Sequence, residues 1–188
     1  MDRAKLGLPA VWQEMAAIGV PFVVAVSIYR RQPQANESQR TMDVVDLLLA
    51  ILHHFLVFTL AGLLAAELAL VRPGLSGSNL ALLGRIDGAY GGVAMAVIVV
   101  GICRVIFGLK GWEYYLSNHA FWGKMVAFVI VGLLSIRPTL RILAWRRSGA
   151  APVPDGEIAA VRSWIRGEVF FLALVLVFAA AMARGIGA

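Results

Sequence analysis

Two adjacent histidines, His53 and His54, stand in the stretch ILHHFLVF, in which no other residue is polar. A neutral imidazole can ligate haem iron or another metal through a ring nitrogen, and without such a ligand it needs a hydrogen-bond partner. Successive side chains on a helix point about 100° apart, so both rings cannot address one ligand. One is expected to coordinate or pair, and the other to hydrogen-bond a neighbouring helix. Other metal and catalytic chemistries lack their residues. No second histidine lies four positions away, no acidic calcium loop is present, and Cys103 is the only cysteine. That excludes an all-cysteine metal or iron–sulfur site within one chain. No serine or cysteine nucleophile stands near a histidine. Haem needs only one or two protein ligands and suits this inventory better, which makes His54 and His53 the candidate haem or metal ligands. The competing reading has both histidines hydrogen-bonded inside a helical bundle.

The elements that must hold these residues follow from composition. Of 188 residues 60% are hydrophobic and 15% charged, with a mean hydropathy of +0.80, against an apolar share of about 45–50% in soluble domains. The chain reads as an all-α integral membrane bundle forming a single membrane domain. About 20 apolar residues cross a bilayer core, and the segments 44–71, 80–107, 119–143 and 168–188 each meet that length. Residues 8–29, interrupted by Gln13, Glu14 and Pro21 and flanked by Arg3, Lys5, Arg30 and Arg31, read as a fifth helix. A cleaved signal peptide ending near Ala25 and Ser27 is the alternative for that segment.

Basic residues in such a chain report orientation. The net charge of +6 is a topology signal, so the expected partner is a lipid bilayer and not nucleic acid. Arg137, Arg141, Arg146, Arg147, Arg162 and Arg166 outnumber Asp155 and Glu157 around a connector expected over 144–167, which the positive-inside rule makes cytoplasmic. Within it, IAAVRSWIR is expected to lie along the interface as an amphipathic piece anchored by Trp164. Trp112, Tyr114, Tyr115 and Trp122 are expected to form an aromatic belt on the opposite side.

Alternating spans sort the polar residues by depth. His53 and His54 lie about 15 Å into their helix, on the side approached by Arg104 and Lys124. Near the opposite surface Glu67, Arg85 and Asp87 are expected to form an ion-paired cluster, with Arg137 at a similar depth. His53, Val57, Leu60, Leu64 and Glu67 share one helical face, while His54 shares another with Phe58, Ala61 and Ala65. Gly84, Gly88, Gly92 and Ala96 recur at every fourth position. Such a stripe brings helix backbones together in lipid, within a chain or between copies in a homo-oligomer. It would also present a flat face to a planar macrocycle.

The segments LLLAILHHFLVFTLAGLLAAEL, LLGRIDGAYGGVAMAVIVVGICRV and NHAFWGKMVAFVIVGLLSIRPT, within about residues 43–147, resemble an uncharacterised bacterial family of inner-membrane proteins of unknown function. The likeness rests on the histidine pair, on Arg85, Asp87, Tyr90 and Gly91, and on Asn118, Trp122 and Lys124. A more distant resemblance is to the HemJ type of protoporphyrinogen oxidase, a helical membrane protein that binds haem b. Its early histidine ahead of an Ala-Gly step resembles His53 or His54 before Ala61 and Gly62, and its functional lysine resembles Lys124. That family carries a histidine two residues before its lysine, where this chain has Trp122. The resemblance implies haem b with a redox role, His54 or His53 as axial ligand, Lys124 as the catalytic residue, and Arg104 beside propionates or substrate carboxylates. The alternative is a non-enzymatic membrane protein, such as a small transporter, a metal-handling protein or an assembly factor, with a structural polar network at Glu67, Arg85 and Asp87.

Overall fold

A computed structural model describes residues 22–109, 111–149 and 152–186, with side chains from Glu37 onward. Residues 8–21 of the expected N-terminal span lie outside the described residues. Five helices follow in order: α1 (Phe22–Leu70), α2 (Gly77–Phe107), α3 (Gly111–Ser117), α4 (His119–Ser148) and α5 (Asp155–Ala183). The chain divides after Val45 into two compact units, and the second carries the packed core and both polar levels described below. Among the described residues four helical segments are long and apolar enough to cross a membrane: Glu37–Leu70, Gly77–Phe107, His119–Ser148 and Asp155–Ala183.

Helix length shows where the bundle leaves the hydrocarbon. With 31, 30 and 29 residues, α2, α4 and α5 each measure about 45 Å at about 1.5 Å per residue. The hydrocarbon layer is about 30 Å thick. The apolar runs stop at Glu67 in α1, Asp87 in α2, Arg137 in α4 and Glu168 in α5, so the excess length projects on one side, called here the arginine side. The helices are joined there through residues 71–76 and between Gly149 and Asp155, and the Val153 N–H donates to the Leu75 carbonyl at 3.1 Å.

This arrangement departs from the expected boundaries. α4 continues past position 143 to Ser148, and α5 begins at Asp155 instead of 168. The expected long connector shrinks to a few residues. Ile158, Val161 and Ile165 are buried and continue the stripe formed by Glu168, Leu172 and Val175. They join Ile142 and Trp145 of the lengthened α4 in one core. The amphipathic piece IAAVRSWIR is thus the opening of α5, with its apolar face spent on the bundle and not on the membrane surface. Gly149, with φ +61°, ends α4 in the left-handed conformation that glycine adopts without a side-chain penalty.

Packing is inverted relative to a soluble bundle. Only 11% of the most apolar stretch of α1 and of α2 is buried, and 22% of that in α4 and α5. Phe55, Phe58, Met95, Ile102, Val129, Leu133 and Val177 are all exposed, as expected of side chains that face lipid. The buried core gathers toward the arginine side, from Leu60, Leu64, Leu83, Tyr90, Val131, Ile165 and Leu172. Arg162 of α5 reaches the end of α1, donating from Nη1 to the carbonyls of Leu68 (3.2 Å) and Val71 (2.7 Å). Toward the other side α1 and α2 pack loosely. No residue from Asp46 to Thr59 of α1, and none of α2 after Val97, is buried. Asn118 closes that side by accepting from the Ala120 and Phe121 N–H groups at 2.9 and 3.2 Å, which caps α4. Trp122 Nε1 donates to the Leu116 carbonyl of α3 at 3.0 Å.

The glycine stripe of α2 is not an intrachain packing face along its length. Arg146 lies across Gly84, whereas Gly88 and Gly92 face open space. The close approach between helices occurs elsewhere, where a β-carbon at Gly123 of α4 would stand 2.9 Å from the Phe178 ring of α5. Gly123→Ala is expected to lower stability by about 1–3 kcal/mol through overpacking, and Gly88→Ala to leave it unchanged or raise it by up to about 1 kcal/mol through helix propensity. Reversible unfolding in mixed detergent micelles would measure both. Equal losses would show that the α2 stripe is as tight a contact as Gly123.

Candidate functional site

Polar side chains within the spans collect at two levels. The first lies in the loosely packed half. His53 turns inward from α1 onto α2, where its Cε1 atom stands 3.4 Å from the position a Gly101 β-carbon would take. The absent side chain lets the imidazole rest on the α2 backbone. His54 turns away, exposed, with its Nδ1 at 2.6 Å from the Ala50 carbonyl of its own helix. The two rings stand nearly perpendicular, at 86°, and of the two only His53 is partly buried, against Gly101 of α2. Its face continues through Leu60, Leu64 and Glu67, each 1% exposed, while Phe58 on the His54 side is 70% exposed.

Two cations share this level. Arg104 follows Gly101 by three positions, on the same side of α2, and both its charge and that of Lys124 act on the His53 ring. Lys124 also feels Arg104 directly, and its Nζ stands 5.0 Å from the centre of the Phe121 ring, a cation–π geometry. No ion pair reaches any of the three among the described residues. His53 Nδ1 and Arg104 Nε are buried without a hydrogen-bond partner. An unmet buried donor or acceptor costs about 1–3 kcal/mol, so three basic groups held together with two such atoms form a place suited to an anion.

The second level is acidic and tightly packed. Glu67 of α1 and Glu168 of α5 are 1% and 0% exposed, and they lie within electrostatic reach of each other and of Asp87. The Tyr90 hydroxyl lies against the Glu168 carboxylate, although neither Glu168 oxygen completes a well-aligned hydrogen bond. Thr139 Oγ1 of α4 donates to Asp87 Oδ1 at 2.7 Å. Among the described residues no group of three histidine, cysteine, aspartate or glutamate side chains is arranged to hold a metal ion.

The expected Glu67–Arg85–Asp87 ion cluster therefore has a different membership. Arg85 is exposed and forms no ion pair among the described residues, because α2 turns it outward. The cation whose charge reaches Asp87 is Arg146, laid across Gly84 one turn away. Glu168, Tyr90, Thr139, Arg146 and Gly101 were not among the expected site residues. Glu168 and Arg146 look like helix-end charges until α4 and α5 are seen to run past the hydrocarbon. Gly101 falls outside the four-residue glycine stripe.

Residues 45–187 match the sequence profile of a family described as "Predicted membrane protein (DUF2214)". No curated protein shows significant similarity to the chain. No solved structure does so either.

The observed membership of the acidic level has a measurable consequence. Thr139→Val removes the donor to Asp87 and is expected to cost about 1.5–3 kcal/mol, the range for a hydrogen bond to a charged group. Arg85→Gln is expected to change stability by no more than about 0.5 kcal/mol, as for a surface position. Unfolding in mixed micelles reads both, and the reverse order would restore Arg85 to the cluster.

Proposed function

The chain belongs to the DUF2214 family of membrane proteins, and from that premise we propose that it binds haem b within the bacterial inner membrane and serves a redox role related to that of HemJ-type proteins. The observation that supports this reading is the gathering of His53, Arg104 and Lys124 in the loosely packed half of the bundle, with His53 Nδ1 and Arg104 Nε unpartnered.

The donor set fits the group. Haem requires an axial lone pair and partners for two propionates, and this level offers one inward imidazole and two cations. His53 supplies the ring nitrogen, and Gly101 beneath it keeps the imidazole free of side-chain crowding. Arg104 presents a planar fork suited to a carboxylate, while Lys124 presents a compact charge whose position is held against the Phe121 ring. His54 is a poor ligand in this conformation, since its ring points away from both cations and toward lipid. The group, when bound, would supply one-electron chemistry. The protein holds it by charge and orientation and excludes bulk water through the surrounding apolar helices. The arginine side is assigned to the cytoplasm by the positive-inside rule.

A second reading is a non-enzymatic membrane protein, for example a small transporter or assembly factor. It is favoured by the acidic level, where Glu67, Asp87, Thr139, Tyr90 and Glu168 draw on all four spans. Optical spectra of the detergent-purified protein separate the two. Under the haem reading, protein expressed with haem supplied shows a Soret band that sharpens on reduction. His53→Ala abolishes the band, His54→Ala retains it, and Arg104→Gln and Lys124→Gln weaken haem retention. A wild-type protein without a Soret band sinks the haem reading and leaves the second. A band that survives His53→Ala moves the ligand elsewhere.

A further inference from the structure

A groove of about 580 Å³ opens between the end of α4 and the start of α5, lined in part by Arg137, Leu140, Arg141, Ala160 and Trp164. It lies apart from both polar levels described above. Its depth follows from the helix lengths: Arg137 ends the apolar run of α4, so the groove opens where the hydrocarbon gives way to headgroups on the arginine side. Leu133 and Ile136, 62% and 50% exposed, continue below it into the membrane.

The charges in the groove are only partly spent. The Arg137 guanidinium stands 4.8 Å from the centre of the Trp164 ring and forms no ion pair among the described residues. Arg141 has a 63% exposed side chain and one long ion pair, Nη1 to Glu157 Oε2 at 3.7 Å. That same oxygen is already taken by Trp145 Nε1 at 2.7 Å. A guanidinium carries five donors, so both arginines keep most of theirs unused. They stand four positions apart and hence on one helical face. Two arginines against one glutamate leave the groove with one excess positive charge.

We propose that this groove binds the headgroup of an anionic phospholipid, with the phosphate on Arg137 and Arg141 and an acyl chain along Leu133 and Ile136. Basic pockets between membrane helices on the cytoplasmic side are suited to such headgroups. A single phosphodiester balances the excess charge. A choline headgroup is disfavoured because the aromatic face that would receive its cation, Trp164, is occupied by Arg137.

The test is native mass spectrometry of the full chain in neutral detergent, titrated separately with phosphatidylglycerol, phosphatidylcholine and inorganic phosphate. Phosphatidylglycerol is expected to form a saturable one-to-one adduct at least tenfold tighter than phosphatidylcholine. Each guanidinium is expected to contribute about fivefold. Arg141→Gln should weaken the adduct by that factor and Arg137→Gln/Arg141→Gln by about 25-fold, while Arg147→Gln, at another exposed arginine of the same side, leaves it unchanged. Arg137 packs on Trp164, so the exposed Arg141 variant keeps the test readable if the double variant does not fold. Equal binding of the two lipids, full retention in Arg141→Gln, an equal loss in Arg147→Gln, or displacement of the lipid by millimolar inorganic phosphate would each overturn the proposal.

Discussion

Hydrocarbon offers no hydrogen bonds, and that one property governs where every polar group in this bundle sits. A side chain that carries charge into the membrane must find a partner in another helix, reach the headgroups, or remain unmet at a cost of several kcal/mol. Apolar side chains are under no such obligation and spread outward, which is why so little of each apolar run is buried. In a soluble bundle the apolar stripe identifies the interior. Here the interior is identified by its few polar members, and four helices are held in register by the need to meet one another's polar groups at shared depths.

The two polar levels answer that demand differently. On the arginine side Glu67, Asp87, Tyr90, Thr139 and Glu168 sit among Leu60, Leu64, Leu83 and Ile165 in the densest part of the molecule, where helices that outrun the membrane add packed turns. On the other side α1 from Asp46 to Thr59 and α2 after Val97, which carry His53 and Arg104, have no buried residue, while α4 packs on α5 at Gly123 beside Lys124. The acidic end fixes the relative positions of the helices, while α1 and α2 stand less closely packed at the other. The division resembles the general separation of a stable scaffold from a less stable binding region.

Much of this arrangement was legible in the sequence. Helical spacing put His53 on the face of Leu60, Leu64 and Glu67, and counting residues along alternating spans brought Arg104 and Lys124 to its depth. Both inferences need only the 3.6-residue period and the rise per residue. The acidic level was half legible. Asp87 and Glu67 could be matched in depth, but the partner of Asp87 depends on rotation about the α2 axis, which turns Arg85 outward and leaves Arg146 to approach over Gly84. The start of α5 was missed because proline, glycine and arginine residues near 146–157 signal a loop. The buried stripe through Ile158, Val161 and Ile165 becomes evident only when α4 is long enough to receive it.

The bond from Arg162 to the carbonyls of Leu68 and Val71 joins the last span to the end of the first across more than 90 residues of chain. Arg162 lies after every other described span in the chain, so the terminal carbonyls of α1 gain this partner only once α5 has been made. The first helix is then the last to be completed. A nascent chain halted before α5 would hold the histidine-bearing span without this clasp.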